Sequence, residues 1–557
     1  MKKRVGLIVD SFCVSNQVLD LVRLSKESES YEITTLLIND IERGSGSLVT
    51  RIASHISLRG LSDLLPNLFF RFVCKVESFF VRRNIKYSNL YSRFYLQESG
   101  FNIIKVNPKV SKNGLVCRYG EEDIRSVGEL NLDSLVYFGG SVLRGDILKV
   151  CPNGVILFQY GDNEGRRVGP PGFWEVYERQ PRTGFTIKRL KDDGGECDVL
   201  YSGYIATSWL YSFNLANLCE ISSPFLHQVI GCISFEEIKL KPYKKNVCGQ
   251  SVRSSPSFIK TVMYLFKVIF LISIKVAMRV QGKTFRWGVA YQFSESWSGV
   301  SLWCSNKIPN PKNRFLADPF VVKKDDCHFC FVEDYDFKVN KGSISAYKIS
   351  AKGYERLGVV LEEDFHLSYP FIFDYEDEVY MCPETHEKNQ IRVYKCIDFP
   401  NKWEFYKTLM SNVSASDTNI FKYNGRWWLF TNIDRSAVLD HSCQLYIFYS
   451  DSPLASEWHA HDRNPVIFDS AIARNGGMIF SDNEVYRVFQ RQGFDMYGEA
   501  CGIAKIVDLS VADYREEVCK IVEPDFFKKI RGTHTYNFDS NLVVFDYVEV
   551  SKKTTGV

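Results

Sequence analysis

Five residues recur at near-regular intervals in the C-terminal half of this 557-residue chain. They are Asp318, Tyr369, Asp417, Arg474 and His534, and successive members lie 51, 48, 57 and 60 residues apart. Each stands at the start of a short apolar segment that predicts a β-strand. Two carboxylates, an arginine and a histidine gathered in one place can bind sugar hydroxyls or a phosphate group. The spacing therefore predicts one site assembled from five repeats.

Further titratable residues follow at the ends of the neighbouring strands. These are Glu333, Asp334, Glu384 and His386. Burying such groups unpaired is costly, so they must pair with one another, bind water or meet a ligand. We expect Glu384 and His386 to hold a sugar hydroxyl. The alternative is that the acids only form turns and hydrogen bonds between repeats.

The repeats themselves indicate the fold of this half. Residues 316–322 (LADPFVV) match residues 367–373 (LSYPFIF), and residues 329–334 (FCFVED) match residues 379–384 (VYMCPE). Strand clusters repeating every ~40–50 residues are typical of propeller blades. Five starts predict an all-β five-bladed propeller over residues 285–557. Residues 286–304 are aromatic and strand-like, so we expect both ends of this region to build the last blade.

Several sequence segments of this half resemble those of known families. FLADPFVV (315–322), CPETHEKNQIRVYKC (382–396) and NGRWWLF (424–430) resemble the propellers of arabinanase- and xylosidase-type glycoside hydrolases. They look closer still to the N-terminal domain of glucosamine inositolphosphorylceramide transferases. The hydrolase resemblance implies that Asp318 is a base and Glu384 an acid. Tyr369 stands where those hydrolases have a second aspartate, which departs from their pattern.

The N-terminal half predicts a different class of domain. Residues 4–10, 32–39, 102–106, 134–138 and 155–159 are apolar strand segments, and residues 16–25 form the first intervening helix. This order predicts an α/β domain with a Rossmann-like parallel sheet over residues 1–230. The glycine fingerprint of dinucleotide binding does not follow the first strand.

Residues 136–203 resemble the core of the formyltransferase fold. The similarity rests on Arg167, Pro170 and Trp174, and on the phrase TGFTI at 183–187. The resemblance places the family's catalytic histidine on Gln159, and glutamine cannot act as a general base. Either Asp162 replaces that histidine or the formyl chemistry is lost.

The loop at 161–172 bears on ligand binding in this half. With Gln159, its residues Asn163 and Arg167 are candidate substrate contacts, since a Gly- and Arg-rich loop before a helix can receive an anionic or sugar group. A formyl-tetrahydrofolate-type donor is implied only if the domain is active. Cys327 and Cys330 would point to opposite faces of a strand, so no metal site is expected.

Two basic, apolar segments predict helices at residues 61–83 and 257–280. In the second, Lys260, Lys267 and Lys275 are 7 and 8 residues apart and share one helical face. Three placements fit the second helix: an anionic membrane surface, docking on the propeller, or a bilayer span, which the central lysine disfavours. Residues 231–284 are predicted to be the linker carrying it, with the domains separating at 222–255.

Composition limits the function. A net charge of +3 argues against nucleic acid as a partner. The sixteen cysteines follow no disulfide framework, and the first apolar run is short and ends at Asp10. We therefore expect a cytoplasmic protein, peripheral on the inner face of the membrane if the basic helices bind lipid.

Together these features predict a transferase-like protein of bacterial surface polysaccharide or glycolipid biosynthesis. It would transfer a formyl, acyl or glycosyl group, with a carbohydrate, nucleotide sugar or lipid-linked sugar as partner. Two alternatives stay open. One is a hydrolase acting through Asp318 and Glu384, and the other is a non-catalytic carbohydrate-binding scaffold.

Overall fold

The computed structural model describes residues 2–40, 61–87, 93–96, 100–111, 116–161, 169–191, 197–234, 256–436 and 438–552. The chain divides into two compact units, Met1–Phe270 and Leu271–Val557. The first unit contains the α/β sheet, and the second contains the repeats.

The first unit is built on a seven-stranded mixed sheet with the order β12-β11-β10-β8-β1-β3-β5. Strands β10, β8, β1, β3 and β5 are mutually parallel, whereas β11 and β12 run antiparallel to their neighbours. The central parallel strands β1, β3 and β8 are mostly buried apolar runs because both faces of such a sheet are covered. The strands of this unit are β1 (Lys3–Val9), β2 (Cys13–Ser15), β3 (Tyr31–Asn39), β4 (Arg93–Tyr95), β5 (Asn102–Val106), β6 (Lys109–Val110), β7 (Val116–Arg118), β8 (Ser134–Tyr137), β9 (Val142–Arg144), β10 (Val155–Tyr160), β11 (Arg182–Leu190) and β12 (Cys197–Ala206).

The described helices are α1 (Asn16–Glu27), α2 (Leu61–Arg82), α3 (Glu121–Gly128), α4 (Phe173–Glu178), α5 (Tyr211–Ser234) and α6 (Phe258–Val280). The start of the expected 222–255 linker is therefore helical, and Leu226, Val229 and Ile230 of α5 are buried. Residues 235–255 lie outside the described residues. Among the described helices, α6 alone is long and apolar enough to cross a membrane, a test of length and composition only.

A buried carboxylate connects three of these helices within the first unit. Tyr264 of α6 donates a hydrogen bond of 2.6 Å to Glu77 Oε1 of α2, and the Ser212 backbone N–H of α5 donates one of 3.0 Å to Oε2. Burial raises the pKa of Glu77 above its ordinary value. This arrangement fixes α2 and the first half of α6 against the sheet unit.

The second unit consists of five sheets whose innermost strands neighbour one another in a closed ring. This confirms the predicted five-bladed propeller. From its inner strand outward, the first blade contains β15 (Arg314–Lys324), β16 (Cys327–Asp336), β17 (Lys341–Ser350) and β18 (Gly353–Leu361), and the second contains β19 (Ser368–Tyr375), β20 (Glu378–Glu384), β21 (Gln390–Asp398) and β22 (Lys402–Ser411). The third blade contains β23 (Ala415–Tyr423), β24 (Arg426–Ile433), β25 (Gln444–Ser450) and β26 (His459–Ala460), with β27 (Ile467–Phe468) beside β25. The fourth blade contains β28 (Arg474–Ser481), β29 (Glu484–Gly493), β30 (Met496–Leu509) and β31 (Tyr514–Val522).

Both ends of the repeat region build the fifth blade. It contains β13 (Lys283–Phe293) and β14 (Asn306–Ile308) from the start of the unit, and β32 (Ile530–Gly532), β33 (Tyr536–Asp539) and β34 (Leu542–Lys552) from its end. Strand β13 pairs antiparallel with β34 along its whole length, from Lys283 to Phe293. The expected closure of the ring by both chain ends is confirmed.

The inner strands share a bulge that sets the residues at the axis. Asp318, Tyr369 and Asp417 each follow the last regular pair and have φ of 47°, 46° and 50°. In the fourth blade Arg474 pairs with Gln490 and Asn475 pairs with Phe489, and the register shifts between Asn475 and Gly477. Arg474 therefore lies on the paired part of its strand, before the bulge, and the expected equivalence of Arg474 with the other repeat starts does not hold.

Candidate functional site: an axial cluster of charged residues

Five of the expected site residues meet near the propeller axis. Asp318, Glu333, Glu384, Arg474 and His534, here called the axial cluster, lie on inner or second strands or on the turn before one. All five side chains are largely buried but not completely, with the arginine the most exposed at 14%. A ligand at the propeller mouth would therefore meet charged groups that protein packing has already partly desolvated.

His534 lies between two aspartates. Its Nε2 atom is 3.2 Å from Asp318 Oδ1, and its Nδ1 atom is 2.7 Å from Asp546 Oδ2. Burial alone would lower the pKa of His534, but the two carboxylates raise it to about 10. Burial likewise opposes ionisation of Asp318, yet the charge of His534 keeps the pKa of Asp318 below its ordinary value. The pair is charged near neutral pH.

Aromatic rings surround this histidine. The Trp287 ring centroid lies 4.0 Å from that of His534, and the Tyr497 centroid lies 5.3 Å from it. Gly498 adopts φ of 61°, and a Cβ there would lie 2.8 Å from His534 Cβ. A residue without a side chain is therefore required for the β30 backbone to approach His534 this closely.

Glu384 is held as a carboxylate by two cationic partners. His386 Nδ1 donates a hydrogen bond of 2.7 Å to Glu384 Oε1, and an Arg474 nitrogen lies 3.6 Å from Oε2. Burial would raise the pKa of Glu384, but these partners bring it below its ordinary value. The same hydrogen bond raises the pKa of His386. The side chain of His386 is 33% exposed, whereas that of Glu384 is 7% exposed.

Arg474 also anchors Asp417. Its Nε donates a hydrogen bond of 2.6 Å to Asp417 Oδ2, and Gln490 Nε2 donates one of 2.9 Å to the same oxygen. Asp417 is only 2% exposed. The guanidinium lies 5.1 Å from the Tyr497 ring centroid. Asp417 therefore positions Arg474, and it presents no free oxygen surface of its own to the mouth.

Among the described residues, the ion-pair contact of Glu333 is with a histidine. His366 Nε2 lies 3.6 Å from Glu333 Oε1, but burial lowers the pKa of His366, and its Nδ1 accepts the Gly342 N–H. Burial raises the pKa of Glu333 well above its ordinary value, and the charges of Asp318 and Glu384 raise it further. Glu333 is therefore a carboxylic acid near neutral pH, beside carboxylates that stay ionised.

Two expected substrate contacts take other places in the propeller. Tyr369 is fully buried and donates a hydrogen bond of 2.9 Å to Asn419 Oδ1. Asp334 accepts hydrogen bonds from Ser345 at 2.7 Å and Arg356 at 3.0 Å. Successive residues of a strand point to opposite faces, so Asp334 turns away from the side on which Glu333 lies.

The expected residues of the first unit are placed only in part. Gln159 is buried on β10, and its Oε1 accepts a hydrogen bond of 2.9 Å from Lys188 Nζ of β11. The side-chain amide of Gln159 thus provides a hydrogen-bond acceptor for the buried ammonium group of Lys188. Asp162, Asn163 and Arg167 lie outside the described residues.

Asp546 and Trp287 belong to the site but were not expected there. Asp546 directly follows the apolar residues 542–545, and Trp287 lies in the aromatic segment 286–304. The sequence shows a carboxylate next to the strand that closes the ring, but the repeat spacing does not mark that position as part of the site. Among the described residues, one trio could hold a metal ion, since ligand atoms of Asp318, His534 and Asp546 lie within 4.8 Å of one another.

Comparison with known families supports the propeller resemblance. Residues 297–542 match the family model of glucosamine inositolphosphorylceramide transferase 1, N-terminal. The transferase of that name from Arabidopsis thaliana is 38% identical over 211 residues, which is 37% of this chain and 27% of the relative. The one from Oryza sativa subsp. japonica is 36% identical over 211 residues, which is 37% of this chain and 28% of the relative. The match thus spans little more than a quarter of each relative.

Solved glycoside hydrolases match parts of this chain at low similarity. A family 117 enzyme from Zobellia galactanivorans is 10% identical with a TM-score of 0.32, covering 49% of this chain and 92% of that one. The catalytic domain of the Coprinopsis cinerea GH62 α-L-arabinofuranosidase is 12% identical with a TM-score of 0.33, covering 47% and 97%. These matches carry no information about the site, and the five-bladed propeller is identified from the strand pairing of this chain.

Proposed function

We propose that the propeller binds a carbohydrate at the axial cluster, in a protein that transfers or processes a glycolipid-linked sugar. The observation that carries this proposal is the combination of hydrogen-bonding charges and aromatic rings at one mouth. Glu384, His386 and Arg474 offer acceptors and donors for hydroxyls, while Trp287 and Tyr497 offer ring surface for the apolar face of a sugar.

The relatives suggest which carbohydrate to test. Their name combines glucosamine with an inositol phosphate carried on ceramide. An amino sugar would place an ammonium group near Glu384, and an inositol phosphate would place an anion near Arg474 and His386. The proposal does not extend to formyl transfer, because Gln159 is occupied by Lys188 and cannot titrate. A role in bacterial polysaccharide synthesis stays an expectation from the sequence.

A binding titration tests the proposal. Glucosamine and inositol phosphate, separately and together, are titrated calorimetrically into the full chain, the Glu384→Gln variant, and Glu404→Gln as a control on an exposed outer strand. We expect binding of at least one compound, weakened about tenfold by Glu384→Gln and unchanged by Glu404→Gln. Failure of both compounds to bind, or equal binding by all three proteins, would contradict the proposal.

A second function, glycoside hydrolysis, is favoured by one observation. Environments that separate the pKa values of neighbouring carboxyl groups create an acid and a base in one site. Here Glu333 keeps its proton and could give it to a glycosidic oxygen, while Asp318 could accept a proton from attacking water. Glu333 then takes the acid's role that the resemblance gives to Glu384, which is held ionised.

Release of nitrophenol from a panel of p-nitrophenyl glycosides tests hydrolysis. Activity that disappears in Glu333→Gln and persists in Glu404→Gln supports the second function. Sugar binding without any release in the wild-type chain leaves recognition as the function of the site and excludes hydrolysis of these glycosides.

A further inference from the structure

Two neighbouring helices of the first unit carry apolar residues on their outer faces. On α2 the exposed residues Leu65, Leu68, Phe72, Val76 and Phe79 follow a spacing of three and four, which places them on one stripe. On α6 the exposed residues Ile259, Met263, Phe266 and Phe270 form a second stripe. These two stripes together are called the apolar face. Its central residues, Phe72 and Phe266, are 63% and 64% exposed.

Both stripes point away from the protein core. The opposite side of α2 carries the buried residues Phe70 and Glu77, and the opposite side of α6 carries Thr261, Tyr264 and Val268. The Glu77–Tyr264 hydrogen bond fixes these inner sides together. The rings of Phe69 and Phe258, with centroids 4.9 Å apart, join the two helices next to the exposed stripes. Nine exposed apolar side chains on two neighbouring helices of a folded unit indicate a binding surface.

The lysines of α6 lie toward the protein rather than on the apolar face. Lys267 Nζ donates a hydrogen bond of 2.6 Å to the Tyr177 carbonyl, and Lys260 lies 4.6 Å from the Trp174 ring centroid. In the second unit, Lys275 forms an ion pair of 2.6 Å with Asp495. The shared lysine face expected from the spacing is therefore present, but it contacts protein groups. The apolar side of the helix is the exposed one.

The charge beside the apolar face is positive. Arg71 and Lys75 are exposed on α2, flanking its stripe. Helix α2 contains two acidic residues, Asp63 in its first turn and the buried Glu77, and α6 contains none. A second copy of these helices would bring mostly like charges. An anionic lipid surface would neutralise them and receive the aromatic side chains.

We propose that the apolar face inserts into the surface of an anionic membrane, with α2 and the first half of α6 lying in its plane. A bilayer span of α6 is disfavoured, because crossing would break the Glu77–Tyr264 bond and move Lys267 away from Tyr177 into hydrocarbon. This inference is independent of the proposed sugar site. It concerns the first unit and the first half of α6 only.

Vesicle flotation of the full chain tests the inference. Phosphatidylcholine vesicles with and without phosphatidylserine are compared for the wild type, for Phe72→Glu with Phe266→Glu, and for Arg71→Glu with Lys75→Glu. The matched control is Phe405→Glu, an exposed phenylalanine on an outer strand of the propeller. Each altered side chain is exposed, so melting temperatures should agree closely, which separates loss of binding from unfolding.

We expect the wild type and Phe405→Glu to float with phosphatidylserine vesicles. The double phenylalanine variant should bind at least about tenfold more weakly, and the double basic variant should lose its preference for phosphatidylserine. Three results would overturn the inference. They are absence of wild-type flotation, equal flotation of the phenylalanine variant, and a lipid-free wild-type dimer that this variant converts to monomer. Wild-type protein that resists extraction with alkaline carbonate would also overturn it, in favour of a span.

Discussion

Arg474 of the fourth blade donates a hydrogen bond of 2.6 Å from its Nε atom to Asp417 of the third blade. Its terminal nitrogen lies 3.6 Å from Glu384 of the second blade. One guanidinium thus joins three blades at the axis. Its two carboxylate partners nevertheless differ in accessibility, since Asp417 is enclosed by donors and Glu384 borders the mouth. The two should respond differently to substitution.

We expect Asp417→Asn to lower stability and Glu384→Gln to lower ligand binding. Burial raises the pKa of Asp417 well above its ordinary value although Arg474 opposes this, so the prediction rests on hydrogen bonding. Asp417 Oδ2 accepts hydrogen bonds from both Arg474 and Gln490, and an amide in its place should weaken both, at a cost of about 2 kcal/mol. Glu384→Gln keeps a hydrogen-bonding group beside His386 and should cost about 1 kcal/mol. Urea unfolding monitored by tryptophan fluorescence measures both. A larger loss of stability in Glu384→Gln would show that this carboxylate, too, serves mainly to hold blades together.

The ion pair of His534 predicts a dependence of stability on alkaline pH. The folded-state pKa of His534 is raised to about 10 from an ordinary value of 6.5. Protonated His534 therefore makes its full contribution to the stability of the folded state below about pH 6.5, and this contribution disappears as pH rises through about 10. The melting temperature of the wild type should therefore exceed that of His534→Gln most at pH 6 to 7, and the gap should narrow by about pH 10. A gap that widens with pH would contradict the assigned ion pair.

Replacing Glu333 should stabilise the protein at alkaline pH, whereas replacing His534 should destabilise it near neutral pH. Because burial raises its pKa, the folded protein keeps a proton that the unfolded chain releases above its ordinary value, so ionisation destabilises the fold as pH rises. Glutamine resembles the protonated acid and does not ionise. Glu333→Gln should therefore match the wild type near pH 4.5 and become the more stable protein toward pH 9. Differential scanning calorimetry across this range checks the sign, with Glu404→Gln as the control for a general effect of charge.

Tyr264→Phe should loosen the attachment of α6 within the first unit. The hydroxyl both donates to Glu77 and accepts the Tyr211 N–H at 3.0 Å, so its removal leaves two buried groups short of a partner. We expect a loss of about 2 kcal/mol. Hydrogen exchange should show faster opening of residues 258–270, whereas Tyr354→Phe, on an exposed ring of the propeller, should change neither quantity. Unchanged exchange in Tyr264→Phe would show that apolar contacts alone hold the helix.

The sequence could reveal the blade count because a blade is a local unit. Each contains strands consecutive in the chain, so LADPFVV and LSYPFIF repeat at the interval of the structure itself. The axial residues Asp318, Glu333 and Glu384 followed from their positions on those strands. Asp546 and Trp287 did not, because the closing blade joins distant segments and no repeat interval marks them. The position of Arg474, before the bulge of its strand rather than in it, was likewise not apparent from the repeat.

The spacing of residues along the sequence also did not predict which side of α6 faces the protein. A helical wheel shows that Lys260, Lys267 and Lys275 share a face, but it does not tell which face meets the protein. That choice depends on Tyr177 and Trp174, which lie about a hundred residues earlier in the chain and supply a carbonyl and a ring for the lysines.

The pairing of β13 with β34 bears on the order in which the protein can form during synthesis. Ala290 lies opposite Phe545, so a strand made early must wait for 255 further residues before its partner leaves the ribosome. The four intermediate sheets are each made of consecutive strands and can assemble as they emerge, but the ring stays open until the end. During that interval the side of β13 that will pair with β34 is an open edge, exposed to wrong partners. A ribosome stalled shortly before residue 542 should therefore hold a nascent propeller that is sensitive to protease, and release of the last eleven-residue strand should make it resistant.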